Sequence, residues 1–182
     1  MLFRSVMRLH GINRDAFDRF TAKVPSWYYE IVAPGFKYNL TDIAAALGLQ
    51  QLKKANAFQA RRAQIAAAYD GALAALPLTL PPHAAGSDLH SWHLYPVRLS
   101  DAATCSRDAV IERLFEARIG CSVHYIPLHL QPYWRDRYGL TPAQFPHSQH
   151  AYERMLSLPL YTRMSDADVQ RVCDAVRTIL RA

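Results

Sequence analysis

One long run without proline constrains the fold most. It extends from Thr41 to Leu76 and is rich in alanine. Alanine has the highest helix propensity and proline the lowest, so the run predicts two consecutive helices, or one helix bent at Gly48 or near Asn56. The first part carries three consecutive alanines, and such small residues let another backbone approach closely. This suits a helix wedged between layers or between subunits.

A polar loop leads directly into this helical run. Pro34 and Gly35 indicate a turn, Lys37 and Asn39 offer a cation and an amide, and Thr41 stands where an N-cap would open the helix. The start of a helix carries unpaired N–H groups and the positive end of the dipole, which favour a phosphate or carboxylate there. The alternative interpretation is an ordinary capped helix after a turn.

Pro77, Pro81 and Pro82 end the helical region, and the segment through Ser87 is expected to be a linker. Short strands and helices alternate after it. Hydrophobic alternation predicts strands at residues 92–99, 120–125 and 156–160. Ser106 is expected to cap a helix, and Ser165 with Asp168 forms an S-x-x-D signal that opens the last one. The core faces predicted for these two helices are Val110, Ile111, Leu114 and Phe115 in the first, and Val169, Val172, Cys173, Val176, Ile179 and Leu180 in the second. The pattern is typical of a small α/β sandwich.

The region before the polar loop is less regular. Apolar residues between Leu2 and Leu9 suit one face of a helix, and the residues after His10 indicate a helix exit and a turn. Residues 15–21 predict a short helix. Residues 23–32, with three aromatic side chains, predict a loop or strand.

Composition excludes several classes of protein. Of 182 residues, 51% are hydrophobic and 20% charged, which is close to the globular average and predicts a folded chain. The net charge of +6 is dispersed and basic runs do not exceed pairs such as Lys53-Lys54, which argues against nucleic acid as a partner. No apolar run is long enough to cross a membrane, and the N-terminus lacks the apolar core of a signal peptide.

The three cysteines are widely spaced and have no CxxC pattern. They argue against a disulfide scaffold or structural zinc and favour a reducing cytoplasm.

His124 and His129 lie at the end of a predicted strand and in the loop after it, where substrate-contacting groups often occur. Their spacing across Pro127 is not helical, which argues against a metal site. GxSxG, HExxH, P-loop and GxGxxG motifs are absent from the sequence.

The segment GFKYNLTDIAAALGLQQL, residues 35–52, resembles the G-x-K-Y-N-x-[ST]-D-[IL]-x-A-A-[IL] segment of the DegT/StrS family of PLP-dependent sugar aminotransferases. Other segments resemble landmarks of that family in the same order, so the resemblance extends over nearly the whole chain. These are His10-Gly11, Arg61-Arg62 with Tyr69, Trp92-His93-Leu94-Tyr95, Arg107-Asp108, the residues 124–129, Phe145-Pro146, and residues 156–161 followed by Met164.

The resemblance implies the C-terminal part of an aspartate-aminotransferase-type α/β fold (PLP fold type I). Residues 1–40 would then be the end of the large PLP-binding domain with an interface loop, 41–82 connecting helices, and 83–182 the small C-terminal α/β domain. Family members are homodimers with composite active sites. Their cofactor is pyridoxal 5'-phosphate, and their substrates are an amino acid and a nucleotide sugar.

The resemblance also assigns residues. Asn39 matches the loop residue that reaches the PLP phosphate of the neighbouring subunit, with Lys37 as its cationic neighbour. His124 and Tyr125 match the strand end that faces the sugar substrate, and His129 is a further candidate. The family's Schiff-base lysine matches no position here, so no catalytic residue is assigned to this chain, and its binding of PLP alone is doubtful.

The reaction implied is transfer of an amino group, from glutamate, to a nucleotide-linked keto-sugar. Because the Schiff-base lysine performs the proton transfer of such chemistry, this chain is expected to be inactive by itself. The alternative hypothesis is a non-catalytic remnant or dimerising domain. A relative that uses PLP without transaminating, such as a sugar dehydratase, is a third alternative.

Overall fold

The computed structural model describes residues 6–12 and 30–181. The chain forms two compact units, Met1–Lys54 and Ala55–Ala182. The helix predicted at residues 15–21 lies outside the described residues, as does most of the segment 23–32. Among the residues that are described, no helix is long and apolar enough to cross a membrane.

In the described part of the first unit, the helix α1 (Asp42–Leu52) follows a set of backbone pairings. Residues 6–8 are helical, and the residues after them form isolated bridges between Leu9 and Lys37 and between Ile12 and Ile31. The predicted N-cap of α1 is confirmed, because the Thr41 hydroxyl accepts from the N–H of Ala44. None of the residues of α1 is buried.

The second unit is built on a three-stranded antiparallel sheet in the order β1 (Leu78–Thr79), β2 (Tyr95–Leu99), β3 (Met155–Leu158). Tyr95 pairs with Leu158 and Val97 pairs with Leu156. Tyr95, Val97 and Leu99 are buried while Arg98 is exposed, as the period-two pattern of the sequence predicts.

Helices pack around this sheet: α2 (Ala55–Leu73), α3 (Arg107–Glu116), α4 (Pro132–Tyr138), α5 (Pro146–Arg154) and α6 (Asp166–Arg181). Two short 3-10 turns, Leu128–Leu130 and Pro142–Gln144, precede α4 and α5. α6 packs on α2 and α3, while α3 contacts β3 and α5 contacts β2. The fold class is therefore α/β, as the sequence predicts.

The core is made by the faces that the helical periodicity predicts. The whole predicted stripe of α6 is buried, from Val169 to Leu180. The α2 helix adds Ile65, Tyr69 and Leu73 from one side. The predicted break in the helical run is also found, since α1 ends at Leu52 and α2 begins at Ala55, close to Asn56.

Two details of the prediction are wrong. Residues 120–125 do not form a strand, because only Ser122 pairs with the sheet, through a single bridge to Ser157, and the chain then bends away. Phe115 does not belong to the core face of α3, since its side chain is 77% exposed while Leu114 is fully buried. The buried residues Val110 and Leu114 are four positions apart on one face of α3, whereas Phe115 is turned about 100° away from Leu114 around the helix.

The contrast between these two neighbours gives a test of the core. Leu114→Ala is expected to lower the free energy of unfolding by about 2–5 kcal/mol, because it leaves a cavity that the core cannot fill. Phe115→Ala is the matched control and should change stability by no more than about 0.5 kcal/mol. Urea unfolding of both variants measures the difference, and an equal loss in both would show that Phe115 is covered.

Candidate functional site

Backbone pairing fixes an extended segment around Lys37. The N–H groups of Phe36 and Tyr38 donate to the carbonyls of Met7 and Arg8 at 2.7 and 2.8 Å. The rings of Phe36 and Tyr38 stack with centroids 4.9 Å apart and planes 7° from parallel. Successive side chains alternate in an extended segment, so Lys37 projects from the face opposite these two rings.

Two glycines let the chain close against this segment. Gly11 has a φ of +74°, and a Cβ there would clash with the carbonyl of Ala33. A Cβ on Gly35 would clash with the backbone of Gly11 in turn. Both family-like glycines are therefore required by a close approach of two backbones, which holds the loop ahead of α1 in place.

The two residues predicted to bind the cofactor lie in this loop. Lys37 and Asn39 are exposed, and Asn39 is two residues before the N-cap Thr41. The first N–H groups of a helix have no intrahelical acceptor, and the Thr41 hydroxyl accepts from the one of Ala44. A cation, an amide and a helix start thus lie within a few residues. Asp42 adds a carboxylate in the first turn.

The second unit carries the predicted substrate residues. His124 is partly buried, and its Nδ1 lies 3.0 Å from the hydroxyl oxygen of Ser157 on β3. The ring of Tyr125 stands edge-on to that of His124, with centroids 4.9 Å apart and planes at 87°. Tyr125 itself is 76% exposed. The structure therefore brings His124 and Tyr125 together at the edge of the sheet.

His129 has different surroundings. Only 3% of its surface is exposed, and its ring stacks on Phe145 at 4.9 Å. Its Nε2 lies 2.9 Å from Oε1 of Gln149, whose amide nitrogen donates to the Glu153 carboxylate at 2.7 Å. Because a carboxylate only accepts, the Gln149 oxygen must face His129, which assigns the proton to Nε2. Contact of His129 with a substrate stays a prediction.

Several family-like residues hold the second unit together. One Arg61 nitrogen donates to the carbonyl of Met164 at 2.6 Å and to the carboxylate of Asp166 at 2.8 Å. The hydroxyl of Tyr69 donates to the carbonyl of Pro159 at 2.7 Å. Since Arg61 and Tyr69 lie on α2, they fix that helix to the segment between β3 and α6.

Arg107 and Tyr95 act similarly elsewhere in this unit. The buried Arg107 guanidinium donates to the carbonyls of Tyr152 and Met155, at 3.0 and 3.3 Å, where α5 passes into β3. The Tyr95 hydroxyl donates to Asp70 at 2.6 Å. Burial, together with the neighbouring Asp70 carboxylate, raises the pKa of Tyr95, so its hydroxyl keeps its proton and donates.

The second unit also contains a cavity. A cavity of about 400 Å³ between α2 and α6 is lined by side chains such as Ile65, Val169 and Cys173, and none of the predicted site residues lines it. Burial raises the pKa of the Cys173 thiol, which disfavours the reactive thiolate. Within residues 6–12 and 30–181, no cluster of histidine, cysteine and carboxylate side chains could hold a metal ion.

Ser157 is the residue at this site that the sequence prediction misses. It lies within a family-like segment, but the sequence pattern gives it no role. Its role depends on burial and on contact with His124, and the sequence of β3 shows neither.

Solved structures define the class of this fold. The chain superposes on Spr1654 of Streptococcus pneumoniae, classed as a sugar aminotransferase and solved in its PMP form, with a TM-score of 0.77 and 32% identity, covering 97% of this chain and 43% of that one. It also superposes on PseC of Helicobacter pylori, an aminotransferase of pseudoaminic acid biosynthesis, with a TM-score of 0.72 and 26% identity over 97% and 44%. The fold is that of the C-terminal part of PLP fold type I aminotransferases.

Sequence comparison gives the family. Residues 3–177 match the DegT/DnrJ/EryC1/StrS aminotransferase family. The chain is 42% identical to the spore coat polysaccharide biosynthesis protein SpsC of Bacillus subtilis over 178 residues, 97% of this chain and 46% of SpsC. It is 44% identical to an uncharacterized protein of Methanocaldococcus jannaschii, MJ1066, over 96% of this chain and 45% of that protein. The chain belongs to this family and spans less than half the length of these relatives.

The surroundings of His129 predict a loss of stability on its removal. His129→Ala should lower the free energy of unfolding by at least about 1–3 kcal/mol, because it leaves the Gln149 oxygen without its partner. His147→Ala, an exposed histidine of the same region, is the matched control and should be near neutral. Thermal or urea unfolding measures both, and equal stability of the two variants would contradict a packing role for His129.

Proposed function

We propose that this chain is the C-terminal part of a PLP-dependent aminotransferase that moves an amino group from an amino acid, glutamate, to a nucleotide-linked keto-sugar. The observation that carries the proposal is the family match across residues 3–177, together with sugar aminotransferases among the structural neighbours. Because the chain spans less than half of its relatives, the activity belongs to an assembly that also contains a large PLP-binding domain.

The loop before α1 fits the phosphate of PLP. Its exposed Lys37 and Asn39 supply a positive charge and an amide donor, and the start of α1 supplies backbone N–H groups. These are the groups that bind phosphate in proteins. Asp42 repels an anion, which Lys37 offsets. We assign Asn39 and Lys37 to the phosphate of PLP bound by a neighbouring subunit.

The remaining chemistry lies outside this chain. PLP supplies an electron sink for the reaction when it is bound, and a lysine amine of the enzyme must hold it and move a proton. The four lysines here are Lys23, Lys37, Lys53 and Lys54, and none matches the family's Schiff-base position. The chain alone is therefore inactive in this proposal.

The sugar substrate is assigned to the edge of the sheet in the second unit. His124 offers a ring nitrogen that no described residue engages, and the exposed Tyr125 offers a phenol beside it. Such groups suit the hydroxyl and phosphate oxygens of a nucleotide sugar. His129 is the weaker candidate, because it is buried and already bonded to Gln149.

The surface of α1 supports a homodimer. Ile43, Leu47, Leu49 and Leu52 are all more than 60% exposed, and they point in different directions around the helix. A helix that is apolar on all sides is normally buried. We propose that a second copy of the protein covers part of it.

The three free cysteines are consistent with a reducing cytoplasm.

Replacing Asn39 tests the proposed function. The chain is fused in place of the matching C-terminal part of Spr1654, and PLP retention on dialysis and amino transfer from glutamate are measured. The fusion should retain PLP and transfer the amino group, whereas the chain alone should do neither. Asn39→Ala removes a charge-assisted hydrogen bond of about 1.5–3 kcal/mol, so PLP affinity should fall by about 10- to 150-fold.

Gln50→Ala is the matched control, since it removes another exposed amide from the same unit. It should leave PLP affinity unchanged. Unchanged retention in Asn39→Ala with lower stability of the PLP-free fusion would show that Asn39 is structural. A folded fusion that binds no PLP would favour the alternative of a non-catalytic domain.

The apolar surface of α1 predicts self-association of the chain. Leu47→Lys should weaken it by about 10- to 150-fold, because burial of a leucine contributes about 1.5–3 kcal/mol. Gln50→Lys adds the same charge to the same helix and should have a smaller effect. Sedimentation over a range of concentrations measures both, and a chain that stays monomeric throughout would contradict the dimer.

A further inference from the structure

Ser157 has a fixed position on β3. Its residue is 4% exposed and pairs with Pro96 of the neighbouring strand. On the other side it exchanges two backbone hydrogen bonds with Ser122, its N–H donating at 2.7 Å and its carbonyl accepting at 3.2 Å. The backbone of Ser157 therefore cannot shift without breaking the bridge that brings the segment of His124 to the sheet.

The Ser157 hydroxyl has one hydrogen-bond partner within the described part of the chain, Nδ1 of His124 at 3.0 Å. Two arrangements are possible, because the hydroxyl can donate to a bare Nδ1 or accept from a protonated one. In the second arrangement the hydroxyl hydrogen would need another acceptor, and the described residues offer none. Buried donors are rarely left unpaired, so the hydroxyl donates to Nδ1.

We infer that Ser157 is a positioning residue that holds the neutral His124 ring with its proton on Nε2. The edge-on ring of Tyr125, 4.9 Å away, limits rotation of the imidazole from the other side. With its proton on Nε2, the ring presents a donor to an acceptor oxygen of the nucleotide sugar, and this role of His124 rests on the proposed function. Because Nε2 already carries the proton, it cannot accept another one from the substrate as a base.

The tautomer can be measured on the full chain without cofactor or substrate. Long-range ¹⁵N–¹H correlation spectra of uniformly ¹⁵N-labelled protein are recorded at about pH 8, well above the ordinary histidine pKa of about 6.5. The signals of His124 are identified by their loss in His124→Gln. A single form with a bare Nδ1 and a protonated Nε2 is expected. A proton on Nδ1, or a mixture of comparable populations, would overturn the inference.

Variants of Ser157 separate positioning from folding. Ser157→Ala should raise the share of the Nδ1-protonated form about fivefold, the factor that one ordinary hydrogen bond supplies. Ser157→Thr keeps the hydroxyl and should restore the wild-type ratio. Ser122→Ala makes the same change across the same backbone bridge and should leave the ratio unaltered.

An unchanged ratio in folded Ser157→Ala would also contradict the inference. If that variant does not fold, the spectra of the wild type and of Ser157→Thr still decide, because both must show the single form. The result is independent of the proposed function. If the fusion does not bind PLP, the tautomer ratio measured on the chain is still valid. If the tautomers are mixed, the PLP-retention result is still valid.

Discussion

Burial of one face of α6 is the constraint on which the second unit depends. Six side chains of this helix are buried, and the helix packs on both α2 and α3. Its start is fixed by Ser165, whose N–H and hydroxyl both donate to Asp168 while Asp168 N–H donates back. These bonds lower the pKa of Asp168, so the cap stabilises the helix above the unfolded-state pKa and weakens as the pH falls through the folded one.

Hydrogen bonds from α2 then hold the segment that joins β3 to α6, next to the site. Arg61 reaches the segment just before α6, and Tyr69 reaches the carbonyl of Pro159, just after β3. With both ends of that segment held, Ser157 stays in place on β3 and can orient His124. Arg61 and Tyr69 thus hold the chain that follows β3, and Ser157 of β3 contacts His124.

The features that the sequence predicts correctly depend on contacts between residues that are close together in the chain. The caps at Thr41 and Ser165 and the stripe of α6 depend on residues three or four positions apart, so their spacing is visible in the chain. The same spacing cannot show how wide a buried stripe is, and for this reason the prediction that Phe115 lies in the core is wrong. The role of Ser157 could not be predicted, since its partner His124 is 33 residues away and only the Ser122 bridge brings them together.

The helix α1 of the first unit is not stabilised in the same way. The backbone of this unit is closely fitted where Gly11 meets Gly35, yet α1 buries none of its residues. Tertiary packing of an apolar face supplies most of the stability of a protein helix, and α1 lacks such packing within the described residues. Alanine-rich sequence and the Thr41 cap favour the helix locally, but they do not explain leucines exposed on several sides. The second copy that we propose would cover part of this surface, and it would then lie close to Lys37 and Asn39, just ahead of the helix.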